Sequence, residues 1–225
     1  MSVETRRTLA LVVAVVAALL VGSAIGMLIT TARDGGGDAA PTADSVDVGF
    51  AQDMRVHHLQ AVTMAGIERD RTADLELRGL AFDIESTQLS QSSEMSGWLT
   101  VWEQPSLPTA GAGYMAWMSE GGSHTHSNGE GGKTTGSVQR MPGMATTDEL
   151  NKLRSLSGAE LDTYFLQLML RHHEGGKEMA EYAAEHASKG YVRNMASKII
   201  QSQGAEVDQI KSLLAARGAK PLPVS

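Results

Sequence analysis

The chain has 225 residues, 42% of them hydrophobic, a formal net charge of −7 and no cysteine. That length supports one or two domains with a core, and the missing cysteine excludes disulfides, thiolate metal sites and a cysteine-linked lipid anchor. Aromatic residues make up only 4%, which favours helices over strands, and an acidic balance without a basic stripe argues against nucleic acid as a partner.

Residues 1–30 read as a signal or membrane anchor. Leu9 to Ile29 carries no charge and follows Arg6-Arg7. As a helix this run is about 31 Å long, enough to cross the hydrocarbon layer. Positive charge stays on the cytoplasmic side, so the expectation is a single-pass membrane protein with its C-terminal domain outside the cytoplasm. The alternative is a secreted protein whose signal is cleaved at the small residues Gly22, Ala24 and Gly26. Residues 31–44 form a Gly-rich tether.

From residue 45 the chain holds two related halves at a constant offset of 115 positions. Phe50 matches Phe165, Met54 matches Met169, His57-His58 matches His172-His173, and Met64-Ala65 matches Met179-Ala180 in sequence character. The register of Arg78 with Arg193, Ile84 with Ile199, Gln88 with Gln203 and Leu99 with Leu214 continues it. Each half reads as a helical hairpin. Residues 45–104 form the first, capped at Asp44 or Ser45 and stopped before Pro105. Residues 105–145 are a Gly-, His- and Met-rich insert, long for a connection inside a compact domain. Residues 146–218 carry a short helix capped at Thr146, then the second hairpin, opened by Ser-Gly-Ala-Glu at capping-box spacing (Ser157 to Glu160) and closed by Gly218. Residues 219–225 are a tail. The fold class expected is all-α: a four-helix bundle built from two duplicated hairpins, plus the N-terminal transmembrane helix.

Helical spacing puts Met169, His172, His173, Gly176 and Met179 within about one third of the circumference, the width of a core-facing stripe. Met54, His57, His58, Ala61 and Met64 do the same, and His186 extends the line beyond Met179. On the partner helices Gln88 and Gln91, and Gln203 and Glu206, interrupt otherwise apolar stripes. A buried amide without a partner costs about 1–3 kcal/mol, so these four are expected to hydrogen-bond the histidines and orient the rings. Core packing explains a single His or Met at such spacing, and the repetition is what points to a metal. Imidazole and thioether without thiolate suit copper, Cu(I) through sulfur and Cu(II) through nitrogen. His124, His126, Met141 and Met144 in the insert are auxiliary candidates. Di-iron bundle chemistry needs a Glu-x-x-His motif, which the chain lacks.

The duplicated Met-x-x-His-His helix, followed by a helix bearing Gln88, Gln91 and Met95 or Gln203, Glu206 and Ile210, resembles the bacterial family called domain of unknown function 305. The resemblance covers about residues 45 to 218 apart from the insert. It implies a ferritin-like four-helix fold, secreted or membrane-tethered, with copper binding among some members. Gln91 stands where the family pattern has Glu, Gly176 where it has Ala, and Arg55-Val56 precedes the first His-His pair. The resulting expectation is a membrane-anchored copper-binding protein without catalytic activity, with a metal ion as ligand and no protein partner identified. The alternatives are an interaction or structural module without metal, and a metal-dependent oxidase.

Overall fold

The computed structural model describes residues 39–108, 111, 113–118 and 137–223. The chain divides into Met1–Ala40 and Pro41–Ser225. The expected membrane helix Leu9–Ile29 lies outside the described residues, as do His124 and His126. Among the described residues no helix is long and apolar enough to cross a membrane.

The described chain is helical, with five α-helices and no strand: α1 Val46–Arg71, α2 Leu75–Val101, α3 Thr147–Ser155, α4 Gly158–His186 and α5 Gly190–Ala216. Side-chain caps explain where several begin. Ser45 accepts from the Val48 amide at 3.3 Å, and Asp74 accepts from Glu76 and Leu77 at 2.9 and 3.3 Å. Thr146 and Glu149 form a reciprocal capping box on α3, satisfying two amides that the first turn leaves without helical partners. The box expected at Ser157 does not form: Ser157 makes no side-chain cap bond, and Gly158 follows it in the left-handed region at φ 56°. α5 ends at a left-handed Gly218, with Ala219 donating back to the Leu214 carbonyl at 3.0 Å.

Each hairpin is antiparallel, and α1 and α4 pack against each other across the middle. Two apolar cores result. One gathers Ala61, Met64, Leu77, Ile84, Phe165, Met169, Ile210 and Leu214. The other gathers Phe50, Met54, Met95, Leu99, Met179, Val192, Met195 and Ile199. The order along each helix shows that α1 and α4 run in opposite directions, each carrying its histidine pair between the two cores. Matched acids fasten the hairpins to each other. Asp47 accepts from the amides of Ser188 and Lys189 at 2.9 and 2.8 Å and from the Ser188 hydroxyl at 2.8 Å. Asp162, its counterpart at the 115-residue offset, accepts from the Thr72 hydroxyl at 2.9 Å. Each acid thus reaches the turn of the other hairpin.

The ends of the insert are packed, contrary to the exposed positions its composition suggests. Met115, Met118 and Met141 are buried at 0, 5 and 1% exposure, within the second core. Asp53 holds one end, its Oδ2 accepting from the Met115 amide at 2.7 Å and from the Trp117 indole at 2.8 Å. Tyr114 and Val138 exchange two backbone bonds of 2.8 Å, tying the two ends together. Gln60 holds the other end, with both halves of its amide bonded to the backbone of Ala145.

Candidate metal centre

The site grows from two turns of helix. On α1 and α4 the His-His pairs face inward, and all four rings are buried, with at most 1% exposure. His57 and His172 meet where α1 crosses α4, their ring centroids 3.7 Å apart and tilted by 35°. Glycine makes this approach possible. A Cβ on Gly176 would lie 2.8 Å from His57 Cε1, closer than carbon atoms tolerate. On the other side the Met141-Pro142-Gly143 segment presses on α4. A Cβ on Gly175 would lie 2.3 Å from the Pro142 oxygen, and one on Gly143 (φ 78°) would lie 2.4 Å from the Arg171 oxygen. The Gly-Gly pair at 175–176 therefore admits the insert on one face and a histidine ring on the other.

The outer histidine of each pair is oriented from the second helix of its own hairpin. His58 Nε2 bonds Gln91 Oε1 at 2.8 Å, and His173 Nε2 pairs with a Glu206 carboxylate oxygen. These two expected contacts are present at matching positions. The other two are not. Gln88, 2% exposed, has no hydrogen-bond partner for either amide atom among the described residues, and the Gln203 nitrogen has none. One helical turn separates Gln88 from Gln91 and Gln203 from Glu206, about 4.5 Å along the axis, and only the second of each pair is bonded to an outer histidine.

Both ring nitrogens of His57, both of His172, and Nδ1 of His58 and His173 lack hydrogen-bond partners. The Pro142 carbonyl lies toward His57 and favours its charged form weakly, but makes no well-formed bond with it. Burial dominates the titration. Together with His58 and His173 it brings His57 down to about 3, and it brings His58 to about 4 against the Gln91 hydrogen bond, which favours the charged ring. His172 lies well below the usual value, first through burial and then through His57, His173 and His58. At neutral pH these three rings are uncharged, so nitrogen lone pairs face the interior.

The methionines divide between the two sides of this layer. Met54 and Met179 lie in one core with Met95, Met115, Met118, Met141 and Met195, and half-buried Met144 packs against it. Met64 and Met169 lie in the other. The helical stripe was right about the face but silent about depth: ten residues on one face are about 15 Å apart along the axis. His186 illustrates the same point. It lies about 21 Å along α4 from His172, its side chain 36% exposed, with Nε2 3.7 Å from Glu185 and its ring against Tyr182. It does not join the buried histidines. Among the described residues no three His, Asp or Glu side chains group to hold a metal ion. A soft ion would instead find imidazole nitrogen from both hairpins with thioethers to either side. Imidazole nitrogen and thioether sulfur are donor types that suit copper, and the nitrogens of His57 and His172 are among those left without partners.

The fold and site define a helical protein with a duplicated, buried His-His layer between two methionine-bearing cores. The chain belongs to the family Domain of unknown function (DUF305), whose model matches residues 47–214. It is 42% identical to a DUF305 protein from Streptomyces coelicolor, described as secreted, whose crystal structure superposes with a TM-score of 0.69 over 81% of this chain and 99% of that one. A DUF305 fragment from Deinococcus radiodurans is 27% identical, with a TM-score of 0.58 over 76% and 96%. CopM in its Cu(I)-bound form is 22% identical, with a TM-score of 0.55 over 76% and 96%. Its Cu(II)-bound form gives 0.54. At that identity the likeness concerns the fold. No curated protein matches the chain.

Proposed function

We propose that this protein binds copper outside the cytoplasm, without catalysing a reaction, and buffers the ion or passes it on. The observation that carries the reading is the His57–His172 contact: two buried, uncharged imidazoles from opposite hairpins with four partnerless ring nitrogens. Leaving buried polar atoms unsatisfied costs about 1–3 kcal/mol each, and a bound ion would relieve one nitrogen of each ring, the other carrying the N–H. His58 and His173 add ring nitrogens to the donor set proposed. Met54 and Met169, about 4.5 Å along their helices from His57 and His172, are nearer sulfur donors than Met64 and Met179, about 10 Å away, with Cu(I) favoured by sulfur and Cu(II) by nitrogen. Similarity to CopM, which has been crystallised with Cu(I) and with Cu(II), supports the choice of metal. Likeness to a protein described as secreted supports the compartment, and the apolar Leu9–Ile29 run supports a membrane tether. In this reading the four long helices form a ferritin-like bundle.

A second reading has one observation in its favour. The lack of a three-residue His, Asp or Glu group among the described residues suits an interaction module whose polar layer sets helix register. Titrating the full chain with Cu(I) and with Cu(II), beside a His57→Asn/His172→Asn variant, separates the two. The copper reading expects binding to fall at least tenfold in the variant. Binding that is absent from both proteins supports the module, and binding that is equal in both moves the site away from this pair.

A further inference from the structure

All four histidines are buried, so an ion held among them needs a way in. A cavity of about 380 Å³ lies between α4 and α5, with Ala180, Ile199 and Val207 among its walls and His173 and Gln203 among its buried lining residues. The Gln203 amide nitrogen has no partner there. Lys211 Nζ and Glu174 Oε1, 2.8 Å apart, pair across its mouth from opposite helices. The internal duplication supplies a control within one molecule. Where the second half has Glu174 and Gly204, the first half has Leu59 and Leu89 at the 115-residue offset. Both leucines are exposed, at 37 and 47%, while Gln88 and Gln203 are both buried. A Cβ on Gly204 would meet nothing within 4 Å, so the space is open.

From this asymmetry we infer that the groove between α4 and α5 is the route by which a copper ion reaches the histidine layer, and that Leu59 and Leu89 shut the corresponding route in the first hairpin. The inference rests on the copper reading for its ion, but the groove itself can be tested without metal. On this inference the second histidine pair is reached between its own two helices, past an ion pair that can open, and the first is not; Gln91, which bonds His58, lines a separate groove with Met195 and Lys198. Gly204→Leu is the decisive substitution, because it installs the first half's own residue at an unobstructed helical position and replaces a poor helix former with a good one.

Two measurements on the full chain test the route. The protein has no cysteine, so Gln203→Cys and Gln88→Cys each provide a single thiol. A small cationic thiosulfonate should label Gln203→Cys at least tenfold faster than Gln88→Cys, and adding Gly204→Leu should remove the difference. Equal labelling, or labelling unaffected by Gly204→Leu, overturns the groove. Separately, stopped-flow mixing with Cu(II) should show association at least tenfold slower in Gly204→Leu, with equilibrium binding retained. Copper bound at an unchanged rate overturns the route. If the intact chain binds no copper while the thiols label as expected, the copper reading fails and the groove stands as an access channel to the layer, so the two failures are distinguishable.

Discussion

At the scale of single residues, the arrangement turns on what glycine omits and what burial does to imidazole. Gly176 is required by the His57 ring, 2.8 Å from where a Cβ would stand. Gly176→Ala should therefore destabilise the fold by about 1–3 kcal/mol, the usual range for overpacking, measured by urea denaturation. A neutral outcome would mean that the His57 ring is free to move aside. The first half carries Ala61 at the corresponding position, buried and tolerated, so the closest approach is one-sided. The histidines also set a pH dependence for the metal-free chain. An unfolded histidine takes up a proton near pH 6.5, whereas folded His57 and His58 resist protonation down to about 3 and 4. The unfolded state then binds more protons as pH falls. Stability should decline from about pH 6.5 downward, each such histidine contributing up to about 1.4 kcal/mol per pH unit. Denaturation curves at pH 7 and pH 5 in a Glu68→Gln background, which removes the opposing titration of Glu68, check this, and a flat profile there would mean that the rings are hydrated.

At the scale of elements, much of the helical layout was legible. Capping residues and glycine or proline stops mark about half of the helix ends, because those residues act locally, on amides and carbonyls one turn away. Contacts that depend on depth or on the other hairpin were not legible. Gln91 and Glu206 reach the histidines while Gln88 and Gln203 do not, a difference of one turn that a stripe pattern cannot register. The burial of the insert's methionines was not legible, because a Gly-rich composition hides the Asp53 and Gln60 anchors that hold its ends in the core. The 115-residue offset of Asp47 and Asp162 was the available signal for the fastening between hairpins. Asp47→Ala removes three hydrogen bonds to a charged acceptor and should cost about 1–3 kcal/mol in chemical denaturation. A loss below that range would assign the fastening to the apolar contacts alone. At the opposite end Glu68 faces Asp162. Burial, then the Asp162 carboxylate, raise Glu68 to about 8. A carboxyl that keeps its proton only when folded contributes stability at low pH that fades between about 4.5 and 8. Glu68→Gln should abolish that fall in stability across the window, and an unchanged pH profile would place the titration elsewhere.

At the scale of the whole molecule, duplication and antiparallel packing of α1 on α4 bring the same motif to the centre twice. The equivalents His57 and His172 become neighbours while His58 and His173 turn to their own second helices. The two halves have since diverged around that centre, with Gln91 against Glu206 and Leu89 against Gly204. The central claim is that the inner pair acts as one unit across the two hairpins. The most direct measurement is copper stoichiometry and affinity in the full chain carrying His57→Asn alone, His172→Asn alone, and both together. One shared ion predicts that either single change removes as much binding as the pair, a strongly non-additive result. Each single change removing half of the bound copper, with the losses summing in the double variant, would contradict it and give each hairpin a separate site.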